Sequence, residues 1–364
     1  MNIDFITIPL GVLTILAFLM AFAIAYFAIP LIVYADNKNG LYSMPNGRTS
    51  HNKPTPVFGG IAVFTGFIIA TITFGGSHFD SKSIYCIAGL IIIFIVGAKD
   101  DLTCCKPRKK LLGQILVTFY TSVLADIRIS NLHGFLNIGE IPYLVSILIT
   151  MFIILVIINS FNLIDGIDGL AAGIGILISS ILGLWFLLTA NFLYSIMSFA
   201  MTGSLIAFFY FNVFSKQNKI FLGDTGSEII GLILGLLVVR FLQLEPYVKG
   251  LAVITSTTAF AISLFIVPLF DMLRVFTLRI VQGKSPFHAD RQHIHHRLLE
   301  LGFNHLQSTI ILVSTSLVFI ILTYLGNDLG THFLILTQFG TCILLSEILV
   351  VQVKGRVLKN QNSQ

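Results

Sequence analysis

The sequence predicts an all-α polytopic membrane protein of about eleven transmembrane helices, with its N-terminus outside and its C-terminus in the cytosol. Three observations carry that expectation. First, 55% of the residues are hydrophobic and only 11% are charged, with a mean hydropathy of +0.91. A soluble domain has too few polar residues at that composition to cover its surface. Second, the apolar residues come in continuous runs of roughly 20, not in ten-residue alternations, which selects helices over a closed barrel. Third, the basic residues are sorted by side. Loops taken alternately, at 35–56, 99–110, 161–169, 213–226 and 273–307 with the tail after 351, hold 18 of the 22 Lys and Arg. The opposite side holds only Lys82, Arg128, Arg240 and Lys249.

The runs place helices near residues 8–34, 57–76, 83–98, 111–126, 142–160, 170–189, 193–212, 227–243, 250–272, 308–325 and 332–351. The first has no basic leader and no small-residue cleavage site, so it reads as an anchor and not as a removed signal. No repeat, low-complexity tract or linker divides the chain, and residues 1–364 form one membrane-embedded domain. The formal charge of +5 follows from the sidedness of the loops and does not call for nucleic acid. Four cysteines make no disulfide framework. Cys86 and Cys342 fall in helices, and the adjacent Cys104 and Cys105 lack the spacing of a zinc site.

Acids, amides and histidines gather on the predicted cytosolic side, where ionisable residues at membrane helix ends point to function. The first loop runs from Gly47 to Gly60 and carries Arg48, His51 and Lys53, which could hold phosphate oxygens. It also carries Pro54 and Pro56, which keep the chain extended, and Gly59-Gly60, which allow close approach of a helix or a ligand. As a bare sequence it also reads as a basic membrane-flanking loop. The second opens on Lys99-Asp100-Asp101 and ends in Lys106, Arg108, Lys109 and Lys110. Adjacent carboxylates repel unless cations neutralise them, and one member can then acquire a pKa suited to proton transfer. The trailing lysines read as an anchor for anionic lipid headgroups.

The third loop is the most informative. Asn159, Asn162, Asp165 and Asp168, with Gly166, Gly169 and Gly173, interrupt an otherwise apolar stretch. Oxygen donors of that kind are the hard ligands of magnesium, and helix capping explains only part of the cluster. The fourth carries Gly223-Asp224-Thr225-Gly226-Ser227-Glu228 at a helix mouth, which alone reads no better than an N-cap. The fifth carries His288, Asp290, Arg291, His293, His295, His296 and Arg297. Zinc is disfavoured there, because no Cys or acid pair completes a site; imidazoles and guanidinium beside magnesium-holding acids suit a diphosphate clamp.

Taken together, P-T-P-x-x-G-G, D-D, N-x-x-N-x-x-D-G-x-D-G-L-A, G-D-x-G-S and H-x-H-H-R, in that order from Arg48 to Arg297, resemble the polyprenyl-phosphate N-acetylhexosamine-1-phosphate transferase family. The run from His288 to Arg297 looks like the WecA-like branch, whose usual donor is UDP-GlcNAc or a related UDP-N-acetylhexosamine. Lys99 and Glu228 depart from the family pattern, which usually has apolar residues there. The resemblance implies transfer of a HexNAc-1-phosphate from the UDP-sugar to polyprenyl phosphate at the cytosolic face of the plasma membrane, with release of UMP, as the first step of a cell-surface glycan. It implies a Mg2+ or Mn2+ cofactor held by Asp224 and Asn162, and Asp100 as base, with a covalent nucleophile as the alternative role, and Asp101 beside it. Asn159, Asp165 and Asp168 are placed near the nucleotide, with Lys53 and His51 on the substrate. His293, His295, His296 and Arg297 grip the diphosphate, helped by Arg291. A homodimer is the assembly the family suggests.

The alternatives are a phospho-MurNAc-pentapeptide transferase, whose last loop is similar to P-x-H-H-H; a transporter, which would show mid-membrane charges and inverted repeats; and a CDP-alcohol phosphotransferase. The last needs a second acidic pair after Asp165-Gly166-Ile167-Asp168-Gly169, and only apolar residues follow Ala171-Ala172-Gly173.

Overall fold

The computed structural model describes residues 9–39, 42–43, 55–103, 105, 107–244, 253–285 and 292–362. Among the described residues thirteen α-helices build it, in the order α1 (Leu10–Asn39), α2 (Gly59–Gly75), α3 (Ser81–Thr103), α4 (Pro107–Val123), α5 (Tyr143–Ile164), α6 (Leu170–Leu188), α7 (Phe192–Val213), α8 (Gly223–Leu244), α9 (Thr257–Leu264), α10 (Ile266–Val281), α11 (Ile294–Glu300), α12 (His305–Leu325) and α13 (Thr331–Asn362). The fold is all-α, as the apolar runs require. One short antiparallel pair, β1 (Tyr42–Ser43) with β2 (Thr55–Pro56), was not legible in the sequence.

Every predicted helical run contains a helix. Among the described residues eight are long and apolar enough to cross a membrane, or nine if the bent pair α9–α10 counts as one span. The helices α2 and α4 have 17 residues each. The run expected at 250–272 is broken: α9 and α10 meet at a bend of 75° around Phe265. Pro268 sits in the first turn of α10, where its missing N–H costs nothing because first-turn N–H groups have no partner within the helix. Had the helix run straight, that proline would have interrupted the ladder from within.

The centre of the bundle is α8, buried on nearly all sides and packed against α2, α3, α5, α6 and α9. Close approach there depends on glycine. A Cβ on Gly60 would collide with the backbone of Gly226, and one on Gly97 would lie 2.6 Å from the Thr225 Cα. The segment before α8 is clamped as well: Phe221 N–H donates to the Pro56 carbonyl at 2.8 Å, and Gly59 and Gly60 N–H donate to Phe221 and Leu222 carbonyls at 2.9 Å. The P-T-P-x-x-G-G motif therefore docks α2 onto the entry of α8, and Gly59-Gly60 are used for helix packing.

Helix ends run further than the apolar runs suggest. Lys99, Asp100 and Asp101 lie on the last turns of α3, Asn159 and Asn162 on the last turns of α5, and Asp224 and Glu228 on the first turns of α8. Residues predicted on loops thus stand on rigid helix ends.

Candidate active site

Asp224 is the second residue of α8, and the ends of α3, α4 and α5 close around it. The Lys110 ammonium, from the first turn of α4, donates to Asp224 Oδ1 at 2.6 Å and lies 3.0 Å from Asp100 Oδ2 and 3.4 Å from Glu228 Oε1. Asn162 Nδ2 reaches the same Asp224 oxygen at 2.5 Å and Ser227 Oγ at 3.0 Å. The Asp224 side chain is 37% exposed, against 9% for Asp100 and 0% for Glu228, so it is the most open of the three.

Asp101 stands next to Asp100 but faces α8. Its Oδ1 accepts from Asp224 N–H at 2.7 Å, and its Oδ2 accepts from Thr225 N–H at 3.0 Å and from the Thr225 hydroxyl. A carboxylate from another helix thus satisfies donors that α8 cannot pair itself and sits at the positive end of its dipole. Gly223 makes room, with φ of +73° and a missing Cβ that would otherwise meet the Asp101 carboxylate at 2.8 Å. Asp100 accepts instead from Cys105 N–H at 2.7 Å and from Lys110. Lys99 is exposed and lies off this cluster.

The loop between α5 and α6 separates its two acids. Asp168 Oδ2 pairs with Lys219 Nζ at 2.6 Å and His305 Nδ1 at 3.0 Å. Burial works against its ionisation, but the His305 and Lys219 hydrogen bonds prevail and hold its carboxyl below the usual range. Its backbone carbonyl accepts from the Thr309 hydroxyl, and Gly169 N–H donates to Asn212 Oδ1 at 2.7 Å, so the loop is tied to α7 and α12. His305 is presented there by a reciprocal cap, Asn304 with Gln307, at the start of α12. Asp165 is different. Burial, then the neighbouring carboxylates Asp224, Asp101 and Asp168, push its pKa up to about 8. Asn159 Nδ2 donates to Gln114 Oε1 at 3.0 Å and to the Leu155 carbonyl at 2.7 Å, so it joins the buried network next to the site.

Across the site, α10 and α11 bring an acid to the histidines. His293 Nδ1 is 2.7 Å from Asp271 Oδ2, and Ile294 N–H donates to Asp271 Oδ1 at 2.8 Å. A carboxylate on Nδ1 fixes the ring's orientation and tautomer. His295 is 2% exposed, stacks on His293 with centroids 5.6 Å apart, and lies against Gly166, where a Cβ would collide with its imidazole. Burial, helped by His296, His293 and His305, pushes the His295 pKa down to about 3 despite Asp271. It is therefore a neutral imidazole at neutral pH, and its Nε2 has no protein partner among the described residues. Arg297 pairs with Glu300 at 2.8 Å. Lys53, His51, Arg291, His288 and Asp290 lie outside the described residues.

Sequence reasoning thus named Asp100, Asp101, Asn162, Asp165 and Asp224, which the fold brings together, and His295, which it sets against the loop carrying Asp165. It gave Gln114, Lys219 and His305 no part, took Lys110 for a headgroup anchor, and counted Asp271 only among the polar residues of the predicted cytosolic side. Lys110 and Gln114, like Asp224 and Glu228, are spaced i, i+4 and share a helical face. That spacing was the available signal, but the pairing joins helices 114 residues apart in sequence.

Two comparisons bear on what such a site does. Residues 83–242, which span α3 to α8 and hold Asp100, Lys110, Asn162 and Asp224, match the family model for glycosyl transferase family 4. The chain is 31% identical over 284 residues to the undecaprenyl-phosphate alpha-N-acetylglucosaminyl 1-phosphate transferase of Escherichia coli (strain K12), covering 76% of this chain and 73% of that protein. The chain belongs to the polyprenyl-phosphate N-acetylhexosamine-1-phosphate transferase family. The enzyme of the same name from Yersinia pestis is 29% identical over 299 residues, 80% of this chain and 78% of its own. The decaprenyl-phosphate N-acetylglucosaminephosphotransferase of Mycobacterium leprae (strain TN) is 29% identical over 323 residues, 82% of this chain and 79% of its own. As a member of this family the chain is a membrane-embedded phosphotransferase.

Proposed function

We propose that the protein transfers a HexNAc-1-phosphate, GlcNAc-1-phosphate in the first instance, from a UDP-sugar to undecaprenyl or another polyprenyl phosphate at the cytosolic face of the plasma membrane, releasing UMP. The observation that carries this reading is the convergence of Asp100, Lys110, Asn162 and Asp224 at one end of the bundle, with Asp224 the more open of the two carboxylates. The acceptor's hydrocarbon tail stays in the bilayer and its phosphate meets a water-soluble donor at that end. The relatives' names give their lipid substrates as undecaprenyl and decaprenyl phosphate, which supports the same acceptor class here. The polymer begun in this way is a cell-surface glycan.

The residues suit a divalent cation. Asp224, Asp165 and the Asn162 amide are hard oxygen donors, and burial together with the neighbouring carboxylates raises the Asp165 pKa, an environment that a cation would relieve. Asn162 would turn its amide so that Oδ1 replaces Nδ2 beside Asp224. Bound there, Mg2+ or Mn2+ would supply charge neutralisation for the donor diphosphate. Lys110 adds a fixed positive charge where negative charge concentrates. Asp100 takes the proton of the lipid phosphate, whose oxygen attacks the β-phosphorus; the bond from that phosphorus to the bridging oxygen breaks and UMP leaves. Asp101 holds Asp224 in place through the α8 backbone. Neutral His295 and Asp271-oriented His293 donate hydrogen bonds to the diphosphate, with His296 and Arg297 beside them, and Arg291 is assigned to the same grip. Lys53, His51, Asn159 and Asp168 position the donor and the loop that meets it.

Purified protein given polyprenyl phosphate and a panel of UDP-N-acetylhexosamines tests the reading. UMP and a lipid diphosphate sugar should appear together, cease in EDTA, and return with magnesium. Asp224→Ala should lower turnover by at least about 100-fold with insertion intact. Full activity in chelator would refute the cation, and UDP-sugars left intact with every acceptor would refute the reaction.

A further inference from the structure

Glu228 is a carboxylate in a place that packing does not require. It is wholly buried, one turn further into α8 than Asp224. Its Oε1 accepts from Gln114 Nε2 at 2.8 Å and lies 3.4 Å from Lys110 Nζ, while its Oε2 accepts from nothing among the described residues. Burying a carboxyl oxygen without a partner is costly, so the arrangement leaves room for a closer approach of the cation beside it. Lys110 is that cation. Its tightest contact, at 2.6 Å, is Asp224 Oδ1, the oxygen that Asn162 also reaches.

A divalent ion on Asp224 would bind at about 2.1 Å from a carboxylate oxygen. An ammonium that kept its present contact with that oxygen would then stand within about 5 Å of the ion, where like charges repel strongly in a partly buried site. The lysine must yield. Lys110 and Gln114 occupy one face of α4, and Asp224 and Glu228 the opposing face of α8, each pair at i, i+4. A small inward movement takes the ammonium from Asp224 to Glu228, whose Oε2 is open to accept it and whose Oε1 is already held by Gln114.

We propose that Glu228 is a positioning residue that receives Lys110 when a divalent cation takes Asp224, so that lysine and cation share the site instead of excluding one another. The inference rests on the reading of Asp224 and Asn162 as cation ligands. Without Glu228, the ammonium is confined to Asp224 and Asp100 and competes with the ion.

Mn2+ binding to the full-length, detergent-purified chain, followed by electron paramagnetic resonance without substrates, tests this. The variants are Glu228→Gln, Lys110→Met and the double variant. Glu228→Gln should weaken Mn2+ binding about tenfold, and adding Lys110→Met should restore it to within about twofold of Lys110→Met alone, because the competitor has gone. Glu228→Leu carries the same expectation and serves if the glutamine variant does not fold. An unchanged Kd in Glu228→Gln, or an equal weakening with and without Lys110, would overturn the proposal, the latter showing a plain field effect of the lost charge. Mn2+ failing to bind the wild-type chain would instead overturn the reading of Asp224 and Asn162, and the inference with it.

Discussion

Asp165 shows most simply how the site handles charge. Burial first, and then the neighbouring carboxylates Asp224, Asp101 and Asp168, push its carboxyl up to about 8, so near pH 7 it carries a proton. A cation arriving at Asp224 favours the ionised form, lowers that pKa and releases the proton. Calorimetry of Mn2+ binding near pH 7 in two buffers of different ionisation enthalpy should therefore show release of about one proton per ion. Near pH 9.5, where Asp165 is already ionised, the release should vanish, and Asp165→Asn should abolish it near pH 7. Release that survives in Asp165→Asn would place the proton elsewhere. At this scale the sequence was readable wherever an acid or amide broke an apolar run, as with Asn162, Asp165 and Asp224. Lys110 was hidden because a lysine beside a membrane helix is ordinarily a headgroup anchor. Glu228 was visible only as a departure from pattern, since its partner Gln114 comes from a distant helix.

Among the elements, α8 decides whether the site exists. Its first turn is capped by Asp101 from α3, and its entry is clamped by backbone bonds from the start of α2. The glycines at these crossings are load points. Gly60→Val should lower the melting temperature of the solubilised protein and cost about 1–3 kcal/mol, because its Cβ runs into the Gly226 backbone. Gly76→Ala, where a Cβ meets nothing within 4 Å, should change stability by no more than about 0.5 kcal/mol. Equal melting temperatures for the two variants would refute the packing argument. Helix identities were legible because hydropathy alone dictates them, but their ends were not. The last turns of α3 and α5 are polar, so the apolar runs stop short of Asp100 and Asn162. The break at Phe265 falls inside an apolar run and shows in sequence only through Pro268.

For the whole molecule, the ends of the bundle differ in what they carry. Lys110, Asp100, Asp224, Asp168, Lys219 and the α11 histidines crowd one end; the other holds the Lys82–Asp126 pair at 2.8 Å and the Arg128–Asp126 pair at 2.9 Å. The excess of basic residues on the first side leads the positive-inside rule to predict that it faces the cytosol. In a background lacking the native thiols, Lys82→Cys should react with an impermeant maleimide in intact cells, and Lys109→Cys only after permeabilisation. The reverse pattern would invert the protein and remove the donor from its site. The most direct test concerns which bond breaks. UDP-GlcNAc labelled on its β-phosphate, incubated with the purified chain, magnesium and polyprenyl phosphate, should deliver the label to the lipid and leave unlabelled UMP, as the proposed attack on the β-phosphorus requires. Label retained in released UDP would mean attack at the sugar carbon, and would contradict the phosphotransferase site built around Asp224.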